Sequence, residues 1–525
     1  MAVLRNGWLV AAAIVVTVFA GHWGVKSLMA ARAERQADEL ARAQAEGKAP
    51  LPTSPYATPA SHAMLESTGP RYVLEVRAAT AFINTYSITG SWGLIQEKRQ
   101  AHVSIMPQTA EAYGDSPGDS AILASARSSA AFTYSAGQAM DRWPIPVFVM
   151  GAPPGRGKES HPAEDIAYAR QQAGLGVALF TWEWEGNDNS ALEGIEQLFA
   201  FFDANPDVPA ALIMVSDGTE ARKWLKTPGL PPVPKWTYIP PVQPTISALL
   251  VSRTDRIDRL MRPFVVSGIG QGITTKDAEL DIIKLWSQFW KDTDAYDDEQ
   301  WRPEQMAKGD LTPGRLGTMP SSWWHERLPQ LWSQINNRGP GPFKPSNYLP
   351  IRWTDWQLKQ FDRAPLLGYL HRPVRIPLTR EDGKPMRMAE QVASLSAAWQ
   401  AALQTLPEGQ KPVRMFYDTS MRRDWAVPIT QALANLPGAP ESGNVDEDYD
   451  IGRRIGDTGT GSTMVELALA TVAGYREGGA SATIHLTDHG YGGIIMVSPP
   501  DDQSKALNDD GRNLGKNPFN MPVPR

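Results

Sequence analysis

The stretch Ile455–Pro500, IGDTGTGSTMVELALATVAGYREGGASATIHLTDHGYGGIIMVSPP, most constrains how this chain can fold. Gly456, Gly459 and Gly461 cluster where the backbone must turn sharply before a helix. Met464, Leu467, Leu469, Val472 and Tyr475 then recur near helical spacing, and Gly478-Gly479 supplies the stop. Ser481 to Leu486 reads as a buried strand, the run from His489 to Gly493 as a tight turn, and Ile494 to Val497 as the neighbouring strand.

The first half repeats this alternation. Tyr72 to Val76, His102 to Met106, Pro146 to Met150, Gly174 to Trp182, Ala210 to Val215 and Thr245 to Val251 read as strands. Ala78 to Tyr86 is ambiguous, Ser120 to Gln138 is rich in Ala and Ser, and Ser190 to Phe202 has a helical apolar stripe. In the second half, His371 to Pro377 and Val413 to Tyr417 read as strands, Met388 to Leu403 and Asp424 to Leu436 as helices. Strands alternating with helices predict an α/β fold of two related halves, each a largely parallel sheet with covering helices.

Between the halves the texture changes. A helix over Asp277 to Trp290 precedes a stretch from Trp301 to Trp353 that is dense in Trp, Pro, Gly and Asn. Eighteen tryptophans in the chain imply large aromatic cores or interfaces. The insert therefore either caps the core or offers a partner surface, with Trp323, Trp324, Trp332, Trp353 and Arg327 as candidate contacts. The resulting organisation is 1–50 as anchor and linker, 51–255 as the first half, 256–368 as the insert and 369–525 as the second half.

Gly7 to Val25 is nineteen residues without a charge, long enough to cross a bilayer core. The basic flank Lys26, Arg32, Arg35, Arg42 and Lys48 places the body in the cytoplasm, tethered to the inner membrane by residues 7–25. Cleavage after Val18-Phe19-Ala20 is the alternative, and would leave a periplasmic body. Ala30 to Glu46 should continue as an exposed helix, and Lys48 to Pro59, with four prolines, reads as a linker. A net charge of -6 gives no nucleic-acid surface, and the absence of cysteine excludes disulfides and thiol catalysis.

Local motifs supply no active site. Gly114-Asp115-Ser116-Pro117-Gly118 spells a serine-hydrolase elbow without the strand such an elbow needs. Ala152 to Lys158 approximates a phosphate loop, but two prolines remove N–H donors and Glu159 replaces the magnesium-binding hydroxyl. Gly268-Ile269-Gly270-Gln271-Gly272 lacks the third glycine of a dinucleotide turn. Glu441 to Asp450 carries five carboxylates without calcium-loop spacing and reads as a solvated loop. The eight histidines form no metal cluster, His485 and His489 being separated by a strand and a turn. No cofactor or metal is expected.

Two resemblances add to this reading. The Gly456-Asp457-Thr458 turn and the Thr487-Asp488-His489-Gly490-Tyr491-Gly492-Gly493 turn resemble those of thiolase-like ketoacyl synthases, which read G-H-T-x-G-A-A-G and N-x-F-G-F-G-G. That likeness implies a thiolase-like fold. Its catalysis needs a helix-N-terminal cysteine and two histidines, where this chain has Gly186-Asn187-Asp188-Asn189-Ser190, Asp418-Thr419-Ser420 and Asp457. The segments His102 to Gln108, Pro146 to Pro153 and Asp418 to Trp425 resemble the bacterial type VI secretion lipase adaptor family. Membership implies a non-catalytic protein that binds a lipase toxin, encoded beside it, and helps load it onto the secretion spike. An immunity protein facing the periplasm, or a hydrolase or acyl-transfer enzyme using Ser116 or an unrecognised carboxylate, are the alternatives.

Overall fold

The computed structural model describes residues 35–36, 39–40, 42–43 and 51–520, less 66–68, 114–116, 137–141, 174–177, 187–189, 235–236, 267–280, 337–338, 421, 488–489 and 512–516. The expected membrane segment at 7–25 therefore lies outside the described residues, as do Ser116, Gly268 to Gly272 and His489. Among the described residues no helix is long and apolar enough to cross a membrane.

Thirteen strands form one sheet in the order β11-β10-β12-β13-β8-β1-β6-β5-β3-β4-β7, with β2 and β9 lying beside β1 and β13. In the first half these are β1 (Val73–Ile83), β2 (Tyr86–Ser87), β3 (Pro144–Met150), β4 (Leu179–Gly186), β5 (Ala210–Asp217) and β6 (Thr245–Ser252). Met319–Pro320 is β7. The second half supplies β8 (Gly368–His371), β9 (Val374–Pro377), β10 (Pro412–Tyr417), β11 (Asp448–Asp450), β12 (Ala480–Leu486) and β13 (Tyr491–Ser498).

The two halves share one topology. Taking β1, β3, β4, β5 and β6 as the first to fifth strands, the spatial order is third, second, fourth, fifth, first. With β8 and β9 as a broken first strand, β10, β11, β12 and β13 follow the same order. The directions match too: second pairs with third and fourth in parallel, and the fifth runs antiparallel to both its neighbours, so the sheet is mixed and not largely parallel as expected. The first strands meet antiparallel, Val73 opposite His371 and Val76 opposite Gly368, and so join the halves. Pro373, between β8 and β9, has no N–H to give a ladder, which accounts for the break.

Each half of the sheet is covered on both faces because its strands alternate between two cores. In β5, Ala211, Ile213 and Val215 face the central core, while Ala210, Leu212 and Met214 face an outer one. In β13, Ile495 and Val497 face the same central core, and Ile494 and Met496 an outer one of their own. The central layer holds two equivalent helices, Ala191–Ala204 between β4 and β5, and Ser462–Glu477 between β11 and β12. The latter is buried at every position from Thr463 to Tyr475, as a helix with packing on all sides must be. Leu192, Ile195 and Phe199 of the first helix share one core with Met464, Leu467 and Val472 of the second.

Three expectations need correction. His102 to Met106 is not a strand: His102 adopts a left-handed φ of 50° after the turn Arg99–Ala101, and Ile105 donates instead to the Arg454 carbonyl at 2.8 Å. The Pro-rich linker is docked at Ser54 and Thr58. Ser54 donates its N–H to Asp258 (3.1 Å) and its hydroxyl to Asp362 (3.0 Å), and Thr58 caps the helix Pro59–Ala63. The acid-rich stretch is not simply a solvated loop, since Asp448–Asp450 forms β11 around a buried Tyr449 stacked on Phe416 at 5.1 Å.

The Trp-rich insert builds a satellite core. Ile282, Leu285 and Phe289 of helix Asp281–Tyr296 pack with Trp324, Leu328 and Leu331 of helix Ser321–Gln334 and with Leu179 of β4. β7 pairs with β4, so the insert covers what would otherwise be an exposed sheet edge. Trp324 (1% exposed) and Trp353 (0%) are consequently core residues, and the expectation that they contact a partner is corrected. Trp353 lies edge-on to Trp143 at 5.4 Å. Only Trp323, Trp332 and Arg327 of the five retain partial exposure.

Candidate functional site: a carboxylate-lined cavity between the halves

The carboxyl ends of the parallel strands and the N-termini of both central helices open onto one cavity of about 430 Å³. That is where open α/β sheets place ligands, because the chain leaves the strand ends in loops and helix N–H groups point inward. β3 leads into Pro153 and Pro154, β5 ends at Asp217 close to Arg222, β10 leads into Asp418, and β12 ends at Leu486 before Thr487. Ser190 caps the first central helix by accepting the Leu192 N–H at 3.2 Å, and Ser462 opens the second.

The three positions singled out by the ketoacyl-synthase resemblance therefore meet. Ser190, Asp418 and Asp457 all line this cavity, although they lie far apart in the sequence. Residues 187–189, before the cap, fall outside the described set.

The polar wall is organised by carboxylates. Arg222 donates Nε to Asp217 Oδ1 (3.0 Å) and Nη2 to Asp217 Oδ2 (2.7 Å), and the Thr460 N–H reaches the same carboxylate at 2.8 Å. Gly459 sits above this pair with φ 60°, and a Cβ there would stand 2.2 Å from Asp217 Oδ2, so only glycine fits. Asp418 accepts the Ser420 N–H and the Ser462 hydroxyl, each at 2.7 Å. Asp457 accepts the Gly459 N–H at 2.7 Å. Burial, helped by the charges of Asp418 and Asp217 and opposed by that hydrogen bond, pushes the Asp457 carboxyl up to about 6.

Deeper in, Glu466 Oε2 stands 3.0 Å from His485 Nδ1, both side chains being almost wholly buried. Burial, with the Asp418 charge second, raises the Glu466 carboxyl well above its ordinary value. Burial lowers His485 to about 3. Burial thus disfavours the charged form of both partners. Sequence reading missed this contact. Its one signal was an acid at Glu466 within the apolar run from Met464 to Ala470.

The remaining motifs stay structural. In the phosphate-loop mimic, Gly155 donates to the Leu225 carbonyl at 2.8 Å, and a Cβ on Gly155 would meet the Lys226 carbonyl at 2.0 Å. Among the described residues no group of three His, Asp or Glu side chains is arranged to hold a metal ion. In the insert, Trp323 donates its indole N–H to the Asp292 carbonyl at 3.0 Å, and Arg327 lies over its ring at 3.2 Å.

Comparison with known proteins bears on both halves. The family model described as type VI lipase adapter protein Tla3, N-terminal, matches residues 72–235, and its C-terminal counterpart matches 367–499. Among solved structures, the chain is similar to a type II polyketide ketosynthase bound to its acyl-carrier protein (8% identity, 82% of this chain and 99% of that one, TM-score 0.41). It is also similar to 3-oxoacyl-(acyl carrier protein) synthase III from Pseudomonas aeruginosa (11% identity, 82% and 99%, TM-score 0.35). At such scores the architecture rests on the repeated strand order of this chain itself.

Proposed function

The chain belongs to the type VI lipase adapter family, and we propose that its duplicated α/β body is a binding scaffold without turnover of its own. Its role is that of an adapter for a type VI lipase. The observation that carries the non-catalytic reading is the content of the cavity. Where acyl condensation would need a thiolate and basic imidazoles, this chain has Ser190, Asp418 and Asp457 and no cysteine anywhere. The buried His485, held neutral, is a poor general base at physiological pH. A screen of the full chain for esterase and acyl-transfer turnover tests this: no rate above buffer is expected, and saturable turnover overturns it.

For the cargo surface we retain the insert, narrowed to Trp323, Arg327 and Trp332. A half-buried indole under a guanidinium resembles the anchors that dominate interfaces. Trp323→Ala and Trp332→Ala should keep the fold and weaken lipase capture by about 1–3 kcal/mol each, the scale of interface anchors. Unchanged capture by folded variants removes this surface. Hand-over to the secretion spike, and tethering of the body on the cytoplasmic side of the inner membrane by residues 7–25, complete the proposal. The uncharged run and its basic flank support the tether. Membrane fractionation of the full chain against a chain lacking residues 7–25 tests it, and identical partitioning sinks it.

A further inference from the structure

We propose that the exposed surface around Trp224 is a docking site for an acidic segment of a protein partner, one that carries carboxylates beside an apolar side chain. The inference goes beyond the cargo surface on the insert. It is built by other residues, and it stands whether or not Trp323 and Trp332 hold the lipase.

Trp224 lies near the end of helix Thr219–Leu225 and is 78% exposed. A lone exposed ring would need no explanation, but this one stands among cations. Gly155 donates to the Leu225 carbonyl at 2.8 Å and the Thr227 hydroxyl to the Pro153 carbonyl, so the loop after β3 is laced to the loop after the helix. That lacing brings Arg156, Lys158 and Lys226 onto one stretch of surface with Trp224, and Lys158 Nζ stands 5.4 Å from the ring centroid. Acids on the same segments are already taken. Lys223 and the Tyr238 hydroxyl hold Glu220, and Lys308 holds Glu159 at 2.8 Å. Arg156, Lys158 and Lys226 have no ion pair among the described residues, and so form a positive island on a chain of net charge -6. Lys226 also sits at φ 53°, where glycine would be unstrained, so its side chain adds something the turn does not need.

Charge complementarity selects an anionic partner, and the backbone selects among anions. The N–H groups that would cradle a phosphate are spent or missing. Those of Gly155, Lys158, Lys226 and Thr227 bond carbonyls within the two loops, and Pro153 and Pro154 have none. What remains is side-chain charge around an aromatic anchor, the composition of protein-recognition hot spots. Position argues against a bilayer. Trp224 follows the carboxyl end of β5, whereas Ser54 docks on Asp258, beyond the end of β6 that pairs with the start of β5. The docked N-terminal segment is therefore at the far end of an eight-residue strand, roughly 25 Å away.

The test is fluorescence anisotropy of a labelled peptide of glutamate and serine around one central phenylalanine, titrated with the full chain in detergent. Saturable binding is expected, weakening as salt rises, and absent when glutamine replaces each glutamate. Trp224→Ala, and Arg156→Glu combined with Lys158→Glu, should each weaken it at least about tenfold. Thermal unfolding of both variants should match the parent, since the altered side chains are at the surface. Trp323→Ala should bind the peptide as the parent does, so failure of the insert as cargo surface leaves this result standing. No saturable binding to the parent chain, or equal binding to both folded variants, overturns the proposal. Trp224-dependent binding of phosphatidylglycerol vesicles or of pyrophosphate in place of the peptide also overturns it, and assigns the patch to a membrane or a small anion. Self-association of the chain that Lys158→Glu abolishes would assign it to a second copy and overturn the proposal likewise.

Discussion

Asp457→Asn should make the protein more stable at neutral and alkaline pH. The carboxyl is raised from 3.8 to about 6, so the folded state holds its proton more tightly than the unfolded chain does. The stabilising contribution of that proton is fully present below about 3.8 and is lost as pH rises through about 6. Roughly two pH units correspond to about 3 kcal/mol that the ionised form costs at pH 8. Asp457 is partly open to the cavity, and relaxation and solvent reduce this to about 1–2 kcal/mol. Asparagine keeps an oxygen for the Gly459 N–H at 2.7 Å, so the turn is preserved. The assay is urea unfolding of parent and variant at pH 4, 6 and 8, comparing the first transition, since a chain of this size need not unfold in one step. The variant's advantage should be largest at pH 8 and absent at pH 4. An advantage independent of pH, or a variant weaker than the parent at pH 8, refutes the reasoning.

Other outcomes follow from the packing. Trp324→Ala, which empties a fully buried position beside Phe289, should cost about 3–5 kcal/mol in chemical unfolding, whereas Trp323→Ala should cost far less. Glu75→Ala should cost roughly 3–5 kcal/mol, because it strips the buried Arg77 of its partner at 2.8 Å on the strand that joins the halves. Asp362→Ala should release the docked segment around Ser54, read as faster proteolysis near residue 54, because Asp362 also anchors Arg262 at 2.8 Å. Glu466→Gln should change stability at pH 7 by less than about 1 kcal/mol, since burial favours the uncharged carboxyl that glutamine mimics.

Much of the fold was legible because its strands alternate between two cores and its punctuation is glycine. The helix Met388–Leu403 and the strands around Ala210 and Ser481 stand close to where their patterns put them. Asp418, Asp457 and Ser190 were found through the resemblance to thiolase-like ketoacyl synthases, at the positions where that family has its catalytic residues. What stayed hidden was long-range pairing. Nothing local links Asp217 to Thr460, yet their 2.8 Å contact closes the cavity across 243 residues. His102 to Met106 looked like a strand because alternation over five residues is weak, and the left-handed residue at its start was not visible. β11 was missed because Asp is a poor strand former, and tertiary stacking of Tyr449 overrides that preference. Ring count in the insert did not reveal which faces of its helices point inward, so Trp324 and Trp353 were misplaced on the surface.

We propose that this chain holds a type VI lipase without turnover of its own. Light scattering on a size-exclusion column, with the full chain in detergent mixed with its cognate lipase, tests that most directly. The account predicts a single peak whose protein mass is the sum of adapter and folded lipase, formed without substrate or cofactor. Two separate peaks at their individual masses would contradict it.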